Sequence, residues 1–194
     1  MTDTLNETAM SRTEEYMLSK PRSNFVVFTH QDGGRFSADY LIRKFIAQAP
    51  KYRKRNLNID RTFSHTGSVW VEDGKLVYYH QTYPRFKKDD WSFRRFNVIF
   101  EVDNEERVNY ARWKCRDLYK NRNRYSIFGL FAFAFTIWFP WLRNPIKAGK
   151  VCSGAVAASY PDIVTGKPYH DVDPQYAHDK FLKKLKDYTV LVTY

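Results

Sequence analysis

The feature that most constrains this chain is a two-residue turn signal, Asp73-Gly74, set between two runs of β-forming residues. His65-Thr66-Gly67-Ser68-Val69-Trp70-Val71 runs into Glu72-Asp73-Gly74, and Lys75-Leu76-Val77-Tyr78-Tyr79-His80 runs out of it. An Asp-Gly pair supplies the backbone freedom that a tight β-hairpin turn needs, so the stretch predicts two antiparallel strands. His65 begins the first strand and His80 ends the second. Folding the strands back on one another places both imidazoles at the same end of the hairpin, with no assumption about the rest of the fold.

The other elements follow in order. Phe25-Val26-Val27-Phe28 reads as a short buried strand, closed by the turn residues Gln31-Asp32-Gly33-Gly34. Ser37 to Gln48 reads as a helix with Ser37 as N-cap, and Pro50 stops it. Lys51-Tyr52-Arg53-Lys54-Arg55 is a basic cluster that suits either a phosphate or acidic-polymer grip or a solvated loop. Gln81 to Trp91 reads as a polar, basic connection, and Trp91 to Val102 as a strand. Asp103 or Asn104 caps a helix that runs to about Lys120, with Cys115 structural within it. Tyr125 to Phe139 is the most apolar segment. It falls short of the ~20 residues of a membrane-spanning helix, which favours a buried core helix over a membrane-seeking one. Leu142 to Lys150 is a basic loop. A helix headed by Cys152 follows and ends at Pro161, with a loop-rich tail, a short basic helix over Ala177 to Asp187 and a closing strand over Thr189 to Thr193. Residues 1–22 read as a flexible or loosely helical leader and residues 23–194 as one domain. These elements predict an α+β fold, an antiparallel sheet of four to six strands with the Cys152 helix packed on one face.

Composition sets outer limits. The chain has 194 residues, 43% hydrophobic and 18% aromatic, which is enough for a true core and excludes general disorder. The formal net charge of +11 attracts anions: nucleic acid, anionic lipid or acidic wall polymer. Two cysteines, Cys115 and Cys152, are too few for a disulfide framework. The first twenty residues lack a basic region followed by an apolar core, so no secretory signal is expected and the protein would act in the cytoplasm or be delivered by a virion or other route.

Cys152 heads the run Val151-Cys152-Ser153-Gly154-Ala155-Val156-Ala157-Ala158. A thiol at a helix N-terminus feels the positive end of the helix, which favours the thiolate expected of a nucleophile. The other reading is a buried cysteine acting as a small hydrophobe. A nucleophilic cysteine needs a base and a group that orients the base. Of His30, His65, His80, His170 and His178, only His65 and His80 sit on a firm strand scaffold. His170 and His178 are expected at the surface. The histidines show no ligand spacing, so neither metal nor other cofactor is expected.

Ser64-His65-Thr66-Gly67-Ser68-Val69, then Val77-Tyr78-Tyr79-His80, then Tyr125-Ser126-Ile127-Phe128-Gly129-Leu130, then Val151-Cys152-Ser153-Gly154-Ala155-Val156, occur in this order. The order resembles the circularly permuted papain-like cysteine hydrolases, the NlpC-type and YiiX-type branches and the related lecithin retinol acyltransferase family. The resemblance covers roughly Phe25 to Asp173. It implies a permuted papain-like fold with Cys152 as nucleophile, His65 as general base and His80 orienting His65. Gly154 departs from the Glu that many members carry there. The resemblance implies a cysteine-dependent amidase, peptidase or acyl hydrolase acting through an acyl-enzyme. Peptidoglycan stem-peptide amides are the first substrate expected, and lipid or acyl esters the second. The competing expectation is a non-enzymatic basic protein, such as a virion or accessory component, that binds nucleic acid, an anionic polymer or a membrane surface without spanning it.

Overall fold

The computed structural model describes residues 12–30, 38–55, 59, 62–82, 84–91, 96–124, 138–139, 151–185 and 190–193. Six strands form one antiparallel sheet: β1 (Asn24–His30), β2 (His65–Glu72), β3 (Lys75–Gln81), β4 (Phe86–Asp90), β5 (Phe96–Val102) and β6 (Val190–Thr193), in the spatial order β4-β3-β2-β1-β5-β6. The helices are α1 (Ala38–Gln48), the single turn α2 (Pro50–Arg53), α3 (Glu105–Lys120), α4 (Cys152–Ser159) and α5 (Pro174–Lys184), with a short helical segment over 12–18. The α+β class and the antiparallel sheet are therefore as expected.

The hairpin is the sheet's centre. Glu72 pairs with Lys75, so Asp73 and Gly74 alone make the turn, both at positive φ (51° and 75°). That is the handed two-residue turn whose twist matches the strands. Alternation then sorts side chains between two faces. Val26, Phe28, Trp70, Tyr79 and Phe100 point to the face covered by α3, α4 and α5. Phe25, Val27, Val69, Tyr78 and Ile99 point to the other, where Met17 from the 12–18 segment and Trp91 cover them. Met17, Trp70, Phe28 and Phe100 are fully buried. Each contributes about 1.5–3 kcal/mol by leaving water.

α4 is the most enclosed helix. Seven of its eight residues are buried, and its small side chains let it lie directly on β2. Ala155 packs with Trp70 and Tyr79, while Val156 and Ala157 join the Phe28 and Phe100 cluster. Gly154 is required by contact: a Cβ there would lie 2.7 Å from the Tyr169 carbonyl oxygen. This accounts physically for the absence of the larger residue that the resemblance led one to expect.

Two expectations change, for residues 86–90 and for His178, and a third is narrowed. Residues 86–90 are an edge strand paired with β3, not a connection. Of the two readings of the leader, its described part takes the helical one and is packed, with Met17 buried on the sheet. His178 is not a surface residue of an irregular tail: its ring lies on α5, 4.7 Å from Phe63 and 5.5 Å from Phe28. The Ser37 cap, the 31–34 turn, the 142–150 loop and most of the 125–139 apolar segment lie outside the described residues. Trp138, at the end of that segment, packs on Phe45 with ring centroids 5.4 Å apart. Among the described residues no helix is long and apolar enough to cross a membrane.

Candidate active site

The hairpin register builds the first half of the site. Gly67 stands opposite His80 across β2 and β3, so His80 shares the face of Gly67 and of His65 two residues earlier. The diagonal brings the rings into contact, with His65 Nε2 and His80 Nδ1 2.8 Å apart. The far nitrogen of His80, Nε2, lies 2.9 Å from Asp89 Oδ2 on β4. Asp89 pairs with Tyr78 in the strand register, which sets it on the same face. Tyr78 stacks on His80 with ring centroids 4.3 Å apart and an 18° tilt. Gly67 permits this closeness: a Cβ there would lie 2.6 Å from the Tyr78 ring and 2.8 Å from the His80 Cβ.

The tautomers follow from the partners. A carboxylate only accepts, so His80 Nε2–H donates to Asp89 and neutral His80 Nδ1 is left as an acceptor. His65 Nε2–H donates to it, and His65 Nδ1 then carries the basic lone pair of the relay. The line Asp89–His80–His65 thus prepares His65 to take a proton at Nδ1 and shares the charge that results. Asp89 is half exposed, which weakens its share by solvent screening.

The second half of the site is the thiol. Cys152 is the first residue of α4, and Val151 before it offers no side-chain cap, so the first-turn amides remain available. The thiol is buried, at 6% exposure, and its hydrogen bond runs to the Ser64 carbonyl at 3.8 Å. Burial pushes it up to about 11, although the amides of Thr66, Ser153 and Cys152 pull the other way. The expectation of a thiolate favoured by the helix end is corrected here: desolvation outweighs the dipole. Ser153 fixes the helix head by donating to the Val172 carbonyl at 2.5 Å. Thr66 Oγ1, next along β2, is buried with no hydrogen-bond partner among the described residues.

The structure therefore joins His65 with His80 and adds Asp89. It sets Cys152 against the main chain on either side of His65. It does not set the thiol on the imidazole. The rings occupy the Tyr78 face, whereas α4 packs on the Trp70 face. The thiol and the relay meet the same end of β2 from opposite sides of the sheet. Asp89 was missed because Phe86-Lys87-Lys88-Asp89-Asp90 carries four charges in five residues. The signal available was the single inward Phe86, which fixes the alternation of the other four. Cys115 packs inside α3's buried face as expected. The side chain of His30 lies outside the described residues. Among the described residues no group of three or more His, Cys, Asp or Glu is placed to hold a metal. No family model and no curated protein matches the chain.

Proposed function

We propose that the chain is a cysteine-dependent amidase, peptidase or acyl hydrolase of the permuted papain-like kind, with Cys152 as nucleophile, His65 as base and His80 as the group that orients it. One observation carries this reading: the Asp89–His80–His65 relay ends on the residue whose flanking main chain touches the Cys152 thiol. Chemistry requires His65 Nδ1 to reach Sγ. His65 is the first residue of β2, and its ring must turn about that strand end to the α4 side, giving up its hydrogen bond to His80 and its contact with Tyr78 for the thiol. Nδ1 then takes the thiol proton, and sulfur attacks the carbonyl carbon. The imidazolium returns the proton to the leaving amine or alcohol. Water, deprotonated by His65, releases the acyl group and restores the thiol. The Cys152 and Thr66 amides that now surround the sulfur are the donors nearest the developing oxyanion. Peptidoglycan stem-peptide amides are the first substrates to try and acyl esters the second, since the +11 charge suits an anionic polymer or surface.

The test is turnover of a panel of muropeptides and acyl esters, with mass spectrometry for a covalent adduct on Cys152. The reading expects one substrate to leave an acyl group on Cys152 and His65→Ala to abolish it. Unchanged turnover in His65→Ala removes the base, and an unchanged rate in Cys152→Ala removes the nucleophile.

A second reading rests on the sulfur itself. Its burial and its position across the sheet from the rings suit a structural cysteine in a basic, non-enzymatic protein that binds an anionic polymer. Equal and slow alkylation of Cys152 and Cys115 favours that reading.

A further inference from the structure

The basic cluster after α1 gains a definite surrounding in three dimensions. Lys51 Nζ lies 4.7 Å from the centroid of the Tyr176 ring, Lys167 Nζ 4.9 Å and Lys180 Nζ 5.2 Å. Three ammonium groups from α2, the 161–168 loop and α5 thus gather around one phenol, no two more than about 10 Å apart. Gly166 shapes the loop: its φ is +91°, and a Cβ there would lie 3.0 Å from the Tyr176 hydroxyl and 3.5 Å from Lys180 Nζ. Tyr176 is held by its own hydroxyl, which donates to the Thr165 carbonyl at 2.7 Å.

Asp173 and Asp179 make their hydrogen bonds to other groups. Asp173 accepts from the Tyr52 hydroxyl at 2.7 Å and from the Tyr176 amide at 2.6 Å. Asp179 pairs with Arg55 and accepts from Gln175, and Asp171 lies toward His170. Among the described residues Lys51 hydrogen-bonds the Tyr52 hydroxyl, at 3.4 Å, and Lys167 the Asp171 carbonyl, at 3.4 Å. None of the three lysines has a carboxylate within ion-pair distance among the described residues. A ring face holds an exposed cation by only ~0.5–1 kcal/mol. Two like charges about 10 Å apart, the widest separation these ring distances allow, repel near a surface by a similar amount or more. The cluster therefore has no carboxylate in direct contact among the described residues, although Asp173 acts on Lys51 and Lys167, and Asp179 on Lys51, at longer range. The Lys51 pKa is lowered chiefly by burial, with Lys167 and Arg55 adding to the shift and Asp173 and Asp179 opposing it.

We propose that Lys51, Lys167 and Lys180 form a binding site for a multivalent oxyanion of the phosphate class, a phosphomonoester or diphosphate group, seated over the edge of Tyr176. The site lies close to the head of α4, because Val172, beside Asp173, accepts the Ser153 hydroxyl. It stands on its own geometry, whether or not Cys152 is a nucleophile.

The experiment is calorimetric titration of the full chain with inorganic pyrophosphate at constant ionic strength, with sodium sulfate and sodium chloride as parallel arms. One saturable site is expected, with affinity falling from pyrophosphate to sulfate and absent for chloride. Each of Lys51→Gln, Lys167→Gln and Lys180→Gln weakens binding by roughly tenfold, the loss of one charge-assisted contact. Lys51→Arg retains binding, which separates charge from any effect on folding. In parallel, NMR titration of the Lys51 side chain shows its pKa rising when pyrophosphate is bound. Equal heats from chloride at matched ionic strength, or unchanged affinity in all three Gln variants, overturn the site. Either outcome leaves the turnover tests on Cys152 untouched, so the two readings fail separately.

Discussion

The two thiols of this chain share a titration and differ in everything around it. Burial pushes both Cys115 and Cys152 up to about 11. Cys115 sits in the middle of α3 among Trp70, Tyr79, Leu118 and Ala155, with its sulfur 3.5 Å from the Ser159 hydroxyl. Side chains from α3, α4, β2 and β3 close around it, and only a rearrangement of the core would expose it. Cys152 is the first residue of its helix and is closed over by the end of β2: the Ser64 carbonyl, the Thr66 amide and its own first-turn amides. The same resting pKa thus arises from packing in one case and from a strand end in the other. A strand end opens at lower cost than a core, although here Ser64 and His65 are tied to Thr29 on β1. Placement at a helix N-terminus does not activate a thiol while desolvation dominates. On the proposed function, what it supplies is donors for the oxyanion once the site opens.

Turnover separates the two most sharply. Cys152→Ala is expected to abolish hydrolysis, a loss of roughly a thousandfold or more, whereas Cys115→Ala leaves it within about twofold. Steady-state assays on the responsive substrate check this. Loss in both variants, or in neither, breaks the distinction. Gly67→Ala is the next largest effect. The added methyl meets Tyr78, the Tyr79 carbonyl and His80 at 2.6 to 2.8 Å, so it is expected to cost about 2–3 kcal/mol of stability. The cost falls at the Cys152 end of β2, through displacement of the His80 ring. Denaturant unfolding measures the loss, and the imidazole NMR signals of His65 and His80 show whether the relay has moved. Unchanged stability in Gly67→Ala would mean that β3 yields easily and that the relay is not held by this contact.

The legible parts of the fold are those set by local chemistry. Asp73-Gly74 announced the hairpin, and Asn104, whose side chain accepts from the Arg107 amide, announced α3. The separation of His65 and His80 was legible too, because a two-residue turn fixes which positions meet. β4 was not. As an edge strand it needs only Phe86 inside, and the charges that guard its open side read as loop. The side of the sheet taken by α4 was not legible either. Alternation says that His65 and His80 share a face, but which face a distant helix chooses depends on where the long side chains are. Here Trp70, Tyr79 and Phe100 lie on the side opposite the imidazoles and draw the small-residue helix to them. His178 shows the same limit. Its ring fills a gap among Phe28, Phe63 and Phe100, a role that depends on how α5 crosses the sheet.

Alkylation tests openness apart from chemistry. With iodoacetamide at neutral pH, Cys152 is expected to react at least about tenfold faster than Cys115, even though both thiols share one pKa. In denaturant the ratio collapses toward one. On the proposed function, His65→Ala is expected to slow Cys152 in the native state and leave Cys115 unchanged, because His65 would serve as base to Cys152 alone when β2's end opens. Peptide mapping of a quenched time course gives both rates in one experiment. Equal native rates would erase the contrast between the two thiols and favour a structural role for both sulfurs.

The smallest effect follows from the shared titration. A thiol raised from 9.0 to about 11 in the folded state binds its proton more tightly there than in the unfolded chain. Its contribution to stability is whole below about pH 9, and it is lost as pH rises from there through about 11. At about pH 10 each cysteine is expected to have given up about 1 kcal/mol. Thermal unfolding of the wild type from about pH 8 to about pH 10.5 should therefore fall more steeply than that of Cys115→Ala. The Cys152→Ala slope should fall between them if opening at β2 lets its thiolate reach water. Cys115 has no such escape, since its thiolate would face Ser159 and Ser68 within the core. If instead the two single variants show the same reduction in slope, the strand end over Cys152 is as tight as the core over Cys115, and the low opening cost assigned to it is wrong.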